Sequence, residues 1–239
     1  MSKKTFFVIT ALIIIGVGGY WLYQSKIPAG NGKIEQSVFD PKNATYTINE
    51  DSITLVNGKA EKEIAPGGAS KIEVMVWGEP AIGDLGADAA SILTYNAGGS
   101  GTFFYVVGAS YDSQSGKTIG TNAILLGDRI APQNISISNS EIMVNYADRK
   151  VDEPMSVSPS VGVTRTFKIQ GTALVEIIFC IPEQRDTDVC FQLYDPVCAK
   201  VNIQCIKAPC EPVYQNFSNP CEACKNSLVE SYISAECAQ

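Results

Sequence analysis

Histidine is missing from this chain altogether, and cysteine is missing before residue 180. Without histidine, Ser-His and Cys-His nucleophile pairs cannot form, and a metal site would lack the commonest nitrogen ligand. No serine stands in an S-x-x-K dyad. Beyond the N-terminus there is no basic cluster, and 18 basic residues face 25 acidic ones, which argues against nucleic-acid binding and polybasic lipid recognition. Ser115-Gly116-Lys117-Thr118 looks like the end of a phosphate-binding loop, but Tyr111 occupies a position where that loop requires glycine. The pairs Asp84/Asp88 and Asp186/Asp188 have the spacing that any charged loop produces by chance. The sequence therefore assigns no catalytic residue, no metal and no cofactor, and the chain reads as a binding protein rather than an enzyme.

Charge is also absent from Thr5 to Tyr23. As a helix, these residues span roughly 28 Å, close to the hydrocarbon thickness of a bilayer. Tyr20, Trp21 and Tyr23 collect at the far end, where an interfacial aromatic belt would lie. Lys3 and Lys4 before the run, against Lys26 after it, predict a cytoplasmic N-terminus and an extracytoplasmic remainder, in the periplasm or at the cell surface. Residues 1–23 are thus expected to be a single-pass membrane anchor. A cleaved signal peptide is the other reading of the same run; it lacks an Ala-x-Ala site, and no cysteine follows for lipid attachment. Residues 24–43, with Pro28, Gly30, Gly32 and Pro41 and no apolar period, read as a linker.

From residue 44 to 178 the pattern is mainly strands. Lys71 to Trp77 alternates as a sheet with one wet face requires, and Phe103 to Val107 is an unbroken apolar run that predicts a strand covered on both faces. Asn57-Gly58, Ser138-Asn139 and Gln170-Gly171 are turn signals between such runs. Asp84 to Leu93 is the one stretch here expected to be a short helix. The segments EPAIGDLGADAASILTY, GGSGTFFYVV, TNAILLGDRIAPQ, VNYADR and PSVGV resemble an uncharacterised exported domain of bacterial envelope proteins. Relatives of that type carry a calcium-loop-like stretch where this chain has Gly83 to Asp88; two aspartates supply too few oxygens for such a site.

All eight cysteines lie between residues 180 and 237, spaced C-x9-C-x7-C-x6-C-x4-C-x10-C-x2-C-x12-C. A block this small buries little core and needs disulfides or a metal. Only one C-x2-C pair is present, Cys221/Cys224, where a four-thiolate zinc site shows two, so disulfides are the expected answer. Disulfides persist outside the reducing cytosol, in agreement with export. Asn219, Pro220 and Glu222 form the start signal of a helix, and Cys221, Cys224 and Leu228 share one of its faces.

Cys190-Phe191-Gln192-Leu193-Tyr194-Asp195-Pro196-Val197-Cys198 and Phe217-Ser218-Asn219-Pro220-Cys221-Glu222-Ala223-Cys224 resemble the Kazal-type serine protease inhibitor domains. The resemblance covers residues 179–239 and implies a small α+β module with first-to-fifth, second-to-fourth and third-to-sixth disulfides. On this chain these are Cys180 with Cys224, Cys190 with Cys221 and Cys198 with Cys237, leaving Cys205 to pair with Cys210 inside an insertion. Cys210, ten residues before Cys221, is the other candidate for the third framework position. The resemblance further implies that Phe191, Gln192, Leu193 and Tyr194 form the inhibitory loop, with Gln192 entering the protease pocket and Asn219 bracing the loop. The family's Gly-x-Asp-Gly after the third cysteine is absent here.

The sequence thus predicts a mainly β protein with some α: an N-terminal transmembrane helix, a β-rich exported domain over 44–178 and a Kazal-like module over 179–239. The expected partners are the membrane and a serine protease; the alternative is a non-inhibitory module that binds another envelope protein. If residues 1–23 anchor the chain, the protein stays with membranes after a carbonate wash, and externally added protease digests the part beyond Lys26. Recovery of a soluble form beginning near residue 20 would refute the anchor.

Overall fold

A computed structural model describes residues 39–64, 70–83, 88–186, 189–207 and 209–237, and antiparallel hairpins recur throughout them. The expected anchor, the linker up to residue 38 and residues 84–87, where the expected short helix begins, lie outside the described residues. Among the described residues no helix is long and apolar enough to cross a membrane. The fold is mainly β, in several antiparallel sheets.

Phe39 to Asn43, assigned to the linker by sequence, belong to the fold. Pro41–Asn43 form a 3-10 turn whose cap, Asp40, accepts a hydrogen bond from the Lys42 amide, and Phe39 packs edge-on against Tyr111. The strands β1 (Thr45–Ile48) and β2 (Asp51–Thr54) pair as a two-stranded ribbon. β3 (Lys59–Glu63), β4 (Lys71–Ile82), β5 (Asp88–Asn96), β6 (Phe103–Asp112) and β7 (Lys117–Gly120) follow as neighbours in a second sheet, and β8 (Ile124–Asp128) pairs with β6. The stretch expected to be helical at Asp84 to Leu93 is instead the strand β5 from Asp88 onward. Its alanines favour helix locally, but Ala90, Ile92 and Leu93 are buried between β4 and β6. Tertiary packing outweighs so weak a local preference.

The two faces of β5 and β6 supply two cores. On one, Leu93, Tyr95, Tyr105, Val107 and Ala109 meet Tyr46, Ile48, Ile53 and Leu55 of the ribbon. On the other, Ala90, Ile92, Phe104 and Val106 meet Ile142, Val144, Tyr146, Phe167 and Leu174. The unbroken run at Phe103 to Val107 is apolar because both its sides are covered, and each such side chain contributes about 1.5–3 kcal/mol by leaving water. Tyr46 enters the first core with its hydroxyl donating to the Pro41 carbonyl at 2.7 Å; burial, with Asp40 nearby, pushes the phenol pKa up.

A seven-stranded sheet covers the second core. β9 (Ala131–Ser138) and β10 (Glu141–Asp148) turn at Asn139 and Ser140, both at positive φ, one residue beyond the expected Ser138-Asn139. β11 (Val161–Gln170) and β12 (Ala173–Phe179) turn at Gly171, with φ of 61°. After the four-residue helix α1 (Pro182–Arg185) come β13 (Val197–Val201), β14 (Val213–Phe217), the helix α2 (Pro220–Lys225) and β15 (Val229–Ile233). The sheet order is β14-β13-β15-β12-β11-β10-β9. The boundary expected between residues 178 and 179 therefore falls inside one strand of one sheet. Ile178 pairs with Tyr232, Phe179 pairs with Ser231, and the Cys180 amide donates to the Glu230 carbonyl.

The ribbon lies against β7 with no room to spare. A Cβ on Gly120 would stand 2.3 Å from the Thr45 carbonyl oxygen and 2.7 Å from the Tyr46 ring. Gly120→Ala should therefore lower stability by about 1–3 kcal/mol, read as a drop in thermal midpoint. An unchanged midpoint would refute this contact.

Candidate functional site

The cysteine-rich part is built around α2. Asn219 is its N-cap, the side-chain oxygen accepting from the Glu222 amide at 2.9 Å, and Pro220 occupies the first helical position. A cap of this kind contributes about 1 kcal/mol. Cys221 and Cys224 then leave the helix one turn apart to bond Cys190 and Cys180. Ala223 and Cys224 are buried with Val197, Ala199, Val201, Val229 and Tyr232 as a third core. Arg185 of α1 donates to the Asn226 and Val229 carbonyls, satisfying acceptors just after the helix.

The remaining disulfides are Cys198–Cys237 and Cys205–Cys210. The four pairs are those that the resemblance implies. Register explains why Cys198 rather than Cys210 takes the long-range partner: Cys198 sits opposite Ile233 on β15, a few residues before Cys237. Cys205–Cys210 closes a small loop in the connection between β13 and β14. That connection follows the Val201/Val213 end of the hairpin, whereas residues 191–195 adjoin the Val197/Phe217 end. The Cys205–Cys210 loop is thus separated from the exposed loop by the length of the hairpin.

Phe191, Leu193 and Tyr194 are 89%, 70% and 74% exposed, and Gln192 between them is exposed as well. Water does not favour so many bare apolar side chains in a row, and the backbone beneath them is held at several points. Cys190 is buried and tied to Cys221 at the loop's entry. Asn219, 6% exposed, donates its amide nitrogen to the Phe191 carbonyl at 3.3 Å and the Leu193 carbonyl at 3.1 Å. These two carbonyls flank Gln192. At the exit, the Asp195 amide donates to the Ser218 carbonyl at 2.8 Å, and the Tyr194 hydroxyl donates to Glu236 at 3.0 Å. That carboxylate holds the Tyr194 phenol pKa above its ordinary value.

The structure therefore brings Phe191, Gln192, Leu193 and Tyr194 together with Asn219, as sequence reasoning grouped them. It adds Ser218, Glu236 and Arg185, which carry no local signal because each acts across a long stretch of chain. Among the described residues no group of carboxylates and thiols is arranged to hold a metal. Ser115 and Gly116 lie in a hairpin turn organised by Asp112, which accepts from the Gln114 and Ser115 amides, and Lys117 and Thr118 open β7. The chain matches no protein-family model, no curated protein and no solved structure.

The two ends of the Asn219 amide can be tested separately. Asn219→Asp keeps the capping oxygen and removes the nitrogen, so α2 should persist while amide exchange over 191–194 accelerates. Asn219→Ala should lose both, with a helix cost of about 0.5–2 kcal/mol, and leave the disulfide map unchanged. Unaltered exchange in Asn219→Asp would remove the amide as a brace.

Proposed function

We propose that the chain is an extracytoplasmic, membrane-anchored protein carrying a Kazal-type inhibitor module, and that residues 191–194 enter the substrate cleft of a serine protease. The observation that carries this reading is the single buried amide of Asn219 bonded to the carbonyls on both sides of Gln192. A protease binds its substrate as an extended strand, and a flexible segment must be ordered on binding, at about 0.5–1.5 kcal/mol for each immobilised side chain. Here Cys190–Cys221 and Asn219 order the backbone beforehand. Gln192 fills the specificity pocket, and the Gln192–Leu193 bond lies where the enzyme would cut. If it is cut, both new ends stay tethered, one by Asn219 to the Phe191 carbonyl and the other through Asp195 to Ser218, so the halves do not separate. The chain acts by binding and performs no chemistry of its own.

Gln192 itself favours a second reading. Its neutral polar side chain suits neither a pocket for Lys/Arg nor a large apolar one, and the exposed Phe191, Leu193 and Tyr194 would serve equally as the apolar centre of an interface with a non-protease envelope partner.

The two are separated by a serine protease panel, using the oxidised chain and its Gln192→Lys and Gln192→Leu variants. Pocket contacts dominate such interfaces, so Gln192→Lys should tighten binding to trypsin-like enzymes by at least about thirtyfold, and Gln192→Leu should do the same for chymotrypsin-like ones. If the parent and both variants leave every enzyme untouched while Cys190–Cys221 is intact, the loop is an interaction surface and not an inhibitor.

A further inference from the structure

A cleft lies between β2 and β3, lined by no residue of the 191–194 loop. Asn57 and Gly58, both at positive φ, turn the chain as the sequence predicts, and Val56 exchanges both backbone hydrogen bonds with Lys59. The hairpin then fails to zip. β2 goes on to pair with β1, while β3 pairs with β4, and the two strands diverge around a cleft of about 190 Å³. Its floor is apolar, made by Ile53, Ala60, Ile72 and Val74, and its rims are Ser52, Thr54 and Glu61. Lys62 closes the far end with an ion pair to Asp51 at 2.7 Å.

Backbone parity shows what the rims offer. The Leu55 amide donates to Ala44, on the β1 side, so Ile53 also faces β1, while Ser52 and Thr54 face the cleft. The Gly58 carbonyl accepts from Val76, on the β4 side, and Lys59 bonds Val56; Glu61 therefore faces the cleft as well. Within the described residues the backbone N–H and C=O groups of Ser52, Thr54 and Glu61 have no protein partner. The outer face of β3 is guarded differently: the Glu61 carboxylate is engaged by Lys71 at 2.9 Å. Two facing strand edges with unused donors and acceptors, set over an apolar floor, fit one kind of ligand: another strand.

We propose that this cleft binds a short extended peptide segment of a partner protein, about three residues long, with a small apolar side chain seated on Ile53, Ile72 and Val74. In an extended segment the middle residue faces one edge and its two neighbours face the other. That matches one cleft-facing residue on β3, Glu61, and two on β2, Ser52 and Thr54. The Val56–Lys59 bridge and the Lys62–Asp51 pair fix the length at both ends. The volume admits a backbone with one small side chain and excludes aromatic residues.

The probe is acetyl-Ser-Val-Ser-amide at millimolar concentration, added to the full oxidised chain, with amide hydrogen exchange as the readout. Exchange at Ser52, Thr54 and Glu61 should slow, and methylating the valine nitrogen should weaken the effect by roughly tenfold, the worth of one lost hydrogen bond. Thr54→Pro and Glu61→Pro each remove a cleft-facing N–H that makes no backbone bond among the described residues, and edge strands accept proline at such positions. Both should abolish protection with little change in thermal midpoint. No protection by the probe, equal protection by its N-methylated form, or persistence of protection in both proline variants would each overturn the proposal. Should the proline variants misfold, the N-methyl comparison on the unmodified chain decides it alone.

Discussion

Two backbone pairings at the end of β12, Ile178 with Tyr232 and Phe179 with Ser231, hold together what the sequence presents as separate pieces. Upstream, β12 completes the sheet that covers the second core; downstream, it gives β15 an edge to grow on, and β13 and β14 add to β15 in turn. A block of this size buries too little surface to organise itself by apolar burial alone. Its disulfides restrict the unfolded chain, and β12 supplies a rigid template. Ile177 and Val175 extend the benefit, packing on the other face with Ile233 and the Cys198–Cys237 bridge.

This dependence explains what could and could not be read in the sequence. The hairpins at Asn139-Ser140 and Gly171 are local: the turn residue and flanking alternation sit within a dozen positions of each other. The N-cap at Asn219 is local too. The disulfide pairs are legible only through the family resemblance, because the spacing of eight cysteines leaves the pairing open; the Cys205–Cys210 loop at the far end of the β13–β14 hairpin closes locally. By contrast, β5 looks helical because its alanines are judged without β4 and β6 on either side. The shared sheet was invisible because both halves of the junction, 178–179 and 231–232, look like ordinary strand ends. Tyr194 with Glu236 and Arg185 with Val229 belong to the same class of long-range contact.

The turn at Asn57-Gly58 teaches a related lesson. Its dipeptide specifies a tight reversal, and the reversal is there, yet a reversal does not oblige the strands to pair. Ile53 and Leu55 are drawn toward Tyr46 and Ile48 in the first core, whereas Ala60 and Val74 hold β3 to β4. Competing partners on either side split the hairpin after a single bridge.

Asn219 has one further consequence. The same planar amide gives its oxygen to the helix and its nitrogen to the loop, so the two elements share a rotamer and cannot relax independently. Linkage makes such an arrangement reciprocal: whatever orders residues 191–193 must suppress fraying at the start of α2 by the same free energy. The helix terminus is then a reporter of the loop's order, although it lies more than twenty residues further along the chain.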